Sequence, residues 1–234
     1  TPTDSNSATN TVAENAAVAA TVGLTAASSD ADGGTNTITY TVSAQSCASL
    51  FGVDSSTGVV TVAATTNLDY ETATSCTVEI TATSADTSTA ATTFTVAVTD
   101  IDEFDVSTPT DSDSTADTVA ENAADDTAVG VTGSASDADG STNTITWTMT
   151  SGTTACDDFF DIGSSDGIVR VDGTGEMNYE TVTSCDITVT ATSADTSTAT
   201  SATISIAITD IDEFDASTPT DSNSATNTVA ENAA

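Results

Sequence analysis

The 234-residue sequence contains no histidine and no lysine, and Arg170 is its only cationic side chain against 36 carboxylates, a formal charge of −35. Each absence excludes a class of chemistry. Histidine-dependent triads, His-ligated zinc, lysine Schiff bases and P-loops all lack the residue they require. Nucleic acids and anionic membranes are held by clustered Lys and Arg, and no such cluster is present. No apolar run approaches the roughly 20 residues of a membrane span, and no signal-peptide pattern opens the given sequence. Aromatics are scarce, at ten residues or 4%, so an aromatic-lined sugar cleft has little material to draw on. What remains for so many acids is solvation, the binding of hard cations, or both.

High charge with few aromatics can mean disorder, but the residue order argues for strands. Apolar positions alternate with threonine: Val22, Leu24 and Ala26; Ile38, Tyr40 and Val42; Val78, Ile80 and Ala82; Phe94, Val96 and Val98. Such β-branched, period-two patterning suits half-buried strands. The opening TPTDSNSATNTVAENAA of residues 1–17 returns letter for letter at 218–234, with a variant at 108–124. Two repeats of 107 and 110 residues thus make a 217-residue period, and two small insertions absorb the difference. A unit of this length is too long for a solenoid repeat and suits an independent domain. About seven strand candidates per repeat predict an all-β fold of tandem sandwiches. Domain boundaries are expected at 1–107 and 108–217, with 218–234 as the first strand of a following repeat. DSSTG at 54–58 and SSDG at 164–167 read as tight turns whose glycine takes positive φ.

Cys47, Cys76, Cys156 and Cys185 fall at equivalent positions with the same spacing of 29 in each repeat. That regularity predicts the disulfides Cys47–Cys76 and Cys156–Cys185, and with them an oxidising, extracellular compartment; buried free thiols are the plainer alternative.

The acids recur in order. Each repeat carries Ala-Glu-Asn (Glu14, Glu121), then Asp-Ala-Asp with an Asn four residues on (Asp30, Asp32, Asn36; Asp137, Asp139, Asn143). Leu-Asp-Tyr-Glu or Met-Asn-Tyr-Glu follows (Asp69, Glu71; Asn178, Glu180), then a late Asp (Asp86, Asp195) and a closing Asp-Ile-Asp-Glu-Phe (Asp100, Asp102, Glu103; Asp210, Asp212, Glu213). This series resembles the calcium motifs of tandem cadherin-like repeats of bacterial type, and the resemblance extends to the F-x-V-D hairpin and over essentially the whole chain. It implies seven-stranded, Ig-like Greek-key sandwiches joined end to end, with about three Ca2+ at each junction.

Carried over residue by residue, the resemblance gives one complete junction. Glu14, Asp69, Glu71, Asp100, Asp102 and Glu103 come from repeat 1, and Asp137, Asp139, Asn143 and Asp195 from repeat 2. Asp30, Asp32, Asn36 and Asp86 form the upper half of a preceding junction; Glu121, Asn178, Glu180, Asp210, Asp212 and Glu213 form the lower half of a following one. Calcium suits this set because it takes six to eight oxygens and tolerates bidentate carboxylates. Departures from the family pattern are Phe104 and Phe214 where an Asn would stand, and Asn178 in place of the first mid-domain acid, which points to fewer or weaker ions there. A tryptophan suited to strand-swapped adhesion is missing from the amino end of either repeat.

Plainer readings compete for some residues. The acids outside the motifs are solvating surface. DSDSTAD at 111–117 alternates like an EF-hand loop but lacks its glycine and terminal Glu, and reads as a polar linker. Tyr40 and Trp147 read as core; of Phe159 and Phe160, one takes the place of Phe51 and the other has no assigned place. The expected function is a non-enzymatic extracellular structural segment, a calcium-stiffened rod or filament at the cell surface. Its partners are neighbouring repeats or identical chains, with a surface or matrix ligand unspecified and no nucleic acid or membrane insertion. The alternatives are a filament subunit polymerising by strand addition, or a carbohydrate-binding surface module.

Overall fold

Alternation decides which face of each strand is buried. In β7 (Ser75–Ser84), Cys76, Val78, Ile80, Ala82 and Ser84 are buried while Ser75, Thr77, Glu79, Thr81 and Thr83 point outward. A strand so patterned must lay its apolar face on a second sheet. The computed structural model describes the chain except residues 33, 35, 65–67, 174–176, 230 and 232–234.

In the first repeat, β1 (Thr3–Asp4), β3 (Thr21–Ala27), β6 (Val59–Val62) and β5 (Phe51–Val53) form one four-stranded sheet in that order. The facing sheet runs β2 (Thr11–Ala13), β8 (Thr89–Thr99), β7, β4 (Ile38–Gln45). The opening segment therefore serves both sheets: β1 pairs antiparallel with β3, and β2 then crosses over to pair parallel with β8. The second repeat repeats this order, with β9 (Thr110–Asp111), β11 (Ala128–Ser134), β14 (Ile168–Val171) and β13 (Phe160–Ile162) facing β10 (Thr118–Ala120), β17 (Ile204–Thr209), β15 (Ser184–Ser193) and β12 (Ile145–Ser151). Each sandwich has its own core, one around Leu24, Leu50 and Ile80, the other around Ile187, Val189 and Ile206. The outward faces carry threonines opposite one another, as in Thr148 against Thr190 and Thr150 against Thr188, the latter pair with hydroxyls 2.8 Å apart.

The insertions have identifiable sites. Two residues enter after β12 and are taken up by the turn Thr154–Cys156, of 3-10 type. One enters the strand matching β8, which breaks into β16 (Thr198–Thr200) and β17. Thr190 pairs with Thr200 but Ile187 with Ile204, so one extra residue bulges out on that strand. There Val189 N–H donates to the Ser201 hydroxyl, with Ser201 N–H donating back to the Val189 carbonyl. Gly58 and Gly167 close equivalent hairpins at φ 73° and 69°, a region glycine enters without steric penalty.

Phe160 takes the place of Phe51, and Phe159, unassigned from sequence, takes that of the buried Leu50; the two phenylalanine rings meet edge to face at 6.3 Å. Tyr40 and Trp147 are both core, each 7% exposed. The larger indole is accommodated because Ala26 of the first repeat becomes Gly133 in the second: a Cβ on Gly133 would stand 2.8 Å from the Trp147 ring. Gly133→Ala is therefore expected to lower the stability of the second sandwich by about 1–3 kcal/mol through overpacking. Adding Trp147→Tyr, which recreates the first repeat's pair, should recover most of that loss. Urea unfolding of the two single variants and the double variant measures the coupling, and strictly additive losses would contradict it.

Candidate metal centre at the junction

Carboxylates that lie far apart in sequence meet where the two sandwiches join. Glu14 follows β2 and is 6% exposed. Its Oε2 accepts the Tyr70 N–H at 2.7 Å and its Oε1 the Ile101 N–H at 2.6 Å. One side chain thus ties the mid-domain turn to the segment leaving β8. Oxygens of Glu14, Glu71, Asp100 and Glu103 come within 4.8 Å of one another. Beside them, Asp102 from the linker meets Asp139 and Asp195 of the second sandwich within the same limit. The linker is laid against these acids by its own backbone, since Asp139 Oδ1 accepts from Glu103 N–H at 3.2 Å and Phe104 N–H at 3.3 Å. Glu71 Oε1 reaches across to Gly140 N–H at 2.7 Å, and the Ser141 hydroxyl donates to Asp100.

Equivalent groups form at the two outer ends. Asp30, Asp32 and Asp86 gather at the top of the first sandwich, and Glu121, Glu180 and Glu213 at the bottom of the second. Glu121 repeats the Glu14 clamp, with Tyr179 and Ile211 N–H groups each at 2.7 Å. Among the described residues, the carboxylate clusters leave out Asp69, Asp137, Asp210 and Asp212. Asp69 accepts from the Thr72 N–H and hydroxyl, closing its own turn. Asp137 Oδ1 accepts the Asp139 N–H at 3.1 Å. Of the amides, Asn178 Oδ1 accepts the Thr181 hydroxyl, and Asn36 and Asn143 are exposed.

Crowding shows in the titration of these groups. Loss of hydration, together with Glu14, Glu71 and Asp139, pushes Glu103 up to about 7. Asp102 is raised by loss of hydration and by Asp139 and Asp195, and Glu213 by loss of hydration and by Glu121 and Glu180. Glu121 moves the other way, because the Tyr179 and Ile211 N–H groups stabilise its charge.

The donor set fits a hard cation. Asp139 is 0% exposed, and the chain's only arginine is engaged elsewhere, with Asp126 and Asp166. Four buried carboxylate oxygens at the joint, Asp100 Oδ1, Asp137 Oδ2, Asp139 Oδ2 and Asp195 Oδ2, have no hydrogen-bond partner among the described residues. A buried charge without a counter-charge is expensive, and oxygen-only clusters of this kind are what Ca2+ accepts. With His and Lys absent and all four cysteines in the disulfides Cys47–Cys76 and Cys156–Cys185, softer metals have no ligands here.

Other features of the joint carry no acidic motif. Tyr70 packs where a Cβ on Gly140 would stand, 2.5 Å from its ring. Val106, 5% exposed, leaves the linker to join the second core, and its N–H donates to the Ser197 hydroxyl at 2.9 Å. The linker holds three apolar residues, Ile101, Phe104 and Val106, of which Val106 alone is buried, and nothing in the sequence singles it out; the packing of Tyr70 on Gly140 left no signal either.

The chain is thus a pair of β-sandwiches in series with carboxylates gathered where they join. Residues 9–99 match the model of the cadherin domain family. Among solved structures, protocadherin gamma B2 extracellular cadherin domains 3-6 matches with a TM-score of 0.67 at 19% identity, over 90% of this chain and 52% of that one. Mouse cadherin-23 EC22-24 matches at 0.65 and 21%, over 88% of this chain and 64% of that one. This chain therefore spans about half to two thirds of those structures. No curated protein matches it significantly. Residues 9–99 thus carry a cadherin domain, and the chain as a whole shares the fold of these solved tandem domains, two sandwiches in series with one disulfide inside each.

Proposed function

We propose that this chain is a non-enzymatic, extracellular structural segment, a rod of tandem cadherin-like repeats stiffened by calcium at its junctions. Its repeats divide at 1–107 and 108–217, with 218–234 opening the next. The observation that carries the proposal is the set of four partnerless buried carboxylate oxygens at the joint. Glu14, Glu71, Asp100 and Glu103 would hold calcium on the side of the first sandwich. Asp102, Asp139 and Asp195, with Asp137 beside them, would hold it on the side of the second. Calcium supplies the positive charge that this cluster lacks. Without it the acids repel and the joint swings; with it the two sandwiches are cross-linked.

Affinity in the range typical of extracellular modules, about 10⁻⁴ to 10⁻³ M, suits an exterior compartment. The expected role is to space or connect surface structures, with neighbouring repeats or identical chains as partners. Chelation should broaden the distance between fluorophores placed one in each sandwich and expose the linker to protease. Millimolar calcium should reverse both effects, and an unchanged distance distribution would contradict the reading. The calcium midpoint should also depend on pH. Because Glu103 titrates at about 7 in the calcium-free joint, protons compete with the metal below that value. The midpoint should therefore rise as pH falls from about 8 to about 6, with proton release on binding.

A further inference from the structure

The two disulfides occupy equivalent places in their sandwiches but are covered differently. Cys76 in β7 is 1% exposed, whereas its partner Cys47, in the loop after β4, is half-buried between the exposed residues Ser46 and Ala48. In the second repeat both ends of the bond are sealed, Cys156 at 1% and Cys185 at 0%. The two residues inserted after β12 make the difference. They let the chain form the turn Thr154–Cys156, which carries Cys156 into the core beside Phe159 and Phe160. The shorter loop of the first repeat leaves Cys47 at the edge of its core.

The loop around Cys47 is also held in an unfavourable shape. Ala48 and Ser49 have φ of 22° and 61°, left-handed values that residues with a side chain seldom adopt. In the second repeat Asp157, which follows Cys156, has an ordinary φ of −58°. Ser46 adds a polar group at the accessible sulfur. Its hydroxyl accepts the Thr77 N–H at 2.9 Å, which leaves its own proton free to face the Cys47 sulfur 3.8 Å away.

We propose that Cys47–Cys76 is a thiol-responsive bond and Cys156–Cys185 a permanent one. Exchange requires a thiolate to reach a disulfide sulfur, and exposed bonds are the labile ones. A small thiolate attacks Cys47 Sγ; a mixed disulfide forms there and the Cys47–Cys76 bond breaks. The electron pair leaves on Cys76, which takes a proton from solvent because an apolar core does not hold a thiolate. A second thiolate attacks the outer sulfur of the mixed disulfide and frees Cys47 as a thiolate, beside the Ser46 hydroxyl. Two small thiols are thereby oxidised to one disulfide and the protein bond is reduced by two electrons. The freed loop encloses β5, β6 and the turn bearing Glu71, so opening it loosens the first sandwich's share of the joint. That consequence for calcium rests on the function proposed above; the difference in reactivity does not.

The test uses the oxidised 234-residue chain in calcium. It is exposed to increasing mercaptoethanol, quenched with iodoacetamide and cut by an Asp- or Glu-directed protease, and mass spectrometry locates the alkylated cysteines. Cys47 and Cys76 are expected to be labelled at a rate proportional to thiol, at least about tenfold ahead of Cys156 and Cys185. Labelling of the second pair should level off with thiol, because it waits for the second sandwich to unfold. Equal rates for the two pairs, or a first-pair rate that also levels off, overturn the proposal. In the selectively reduced chain the calcium midpoint, read from the distance between the two sandwiches, should rise, and reoxidation should return it. An unchanged midpoint overturns the link to the joint. A joint insensitive to calcium in the oxidised chain counts against the calcium reading instead, and faster opening of Cys47–Cys76 still supports the difference between the bonds.

Discussion

Replacing Cys47 and Cys76 by alanine is expected to lower the stability of the first sandwich by about 3.6 kcal/mol, the loop-closure entropy released when a loop of this length is no longer bridged. The bond spans a sequence separation of 29 and encloses β5, β6 and the Asp69–Glu71 turn. Cys76 is 1% exposed between Ser75 and Thr77 of a central strand, so the small void left by its sulfur adds to the loss. For domains whose net stability is commonly about 5–15 kcal/mol, this is a large fraction. Urea unfolding should show the first sandwich melting early while the second, with Cys156–Cys185 intact, keeps its midpoint. The enclosed turn contributes Glu71 to the joint, so calcium should bind the double variant less tightly and restore part of its stability by mass action. Unchanged stability would mean that the sheets alone hold the loop ends together.

Much of this architecture was legible in the sequence because it rests on short-range rules. Period-two patterning located β3, β4, β7 and β8, the equal cysteine spacing paired the disulfides, and glycine marked the hairpins at Gly58 and Gly167. The resemblance carried the order of the acidic motifs, and the structure brings together Glu14, Glu71, Asp100 and Glu103, and separately Asp102, Asp139 and Asp195. Sequence was silent where the outcome depends on shape. The exchange of Ala26 and Tyr40 for Gly133 and Trp147 is visible only once β3 and β4 are known to face each other, as is Phe159 in the place of Leu50. Nor does any motif show that Asp69 turns back to Thr72 while its neighbour Glu71 reaches across to Gly140, because that choice is made by the backbone of the turn.

Glu14→Ala is expected to destabilise the first sandwich even without calcium, which separates this acid from the others at the joint. Its two oxygens accept the Tyr70 and Ile101 N–H groups inside a site that is 6% exposed. Truncation leaves two part-buried N–H donors without their acceptor, a loss of at most about 1.5–3 kcal/mol each, the worth of a hydrogen bond to a charged group. Glu71→Ala frees only Gly140 N–H, on the exposed side, and should change calcium affinity and joint stiffness with little effect on unfolding. Hydrogen exchange at Tyr70 and Ile101 should quicken in the Glu14 variant and not in the Glu71 variant; equal protection in both would mean that the clamp is dispensable. The pH dependence at the second sandwich follows from the same geometry. Glu121 is held below its ordinary value of 4.5 by Tyr179 and Ile211 N–H. Its contribution is therefore present above that value and is lost as pH falls through the lowered one. Glu213 is raised by loss of hydration and by its neighbours Glu121 and Glu180, so its ionisation weakens the calcium-free fold as pH climbs above 4.5. One cluster thus contains a carboxylate that needs its charge for the fold and another that resists it, and calcium favours the ionised form of both.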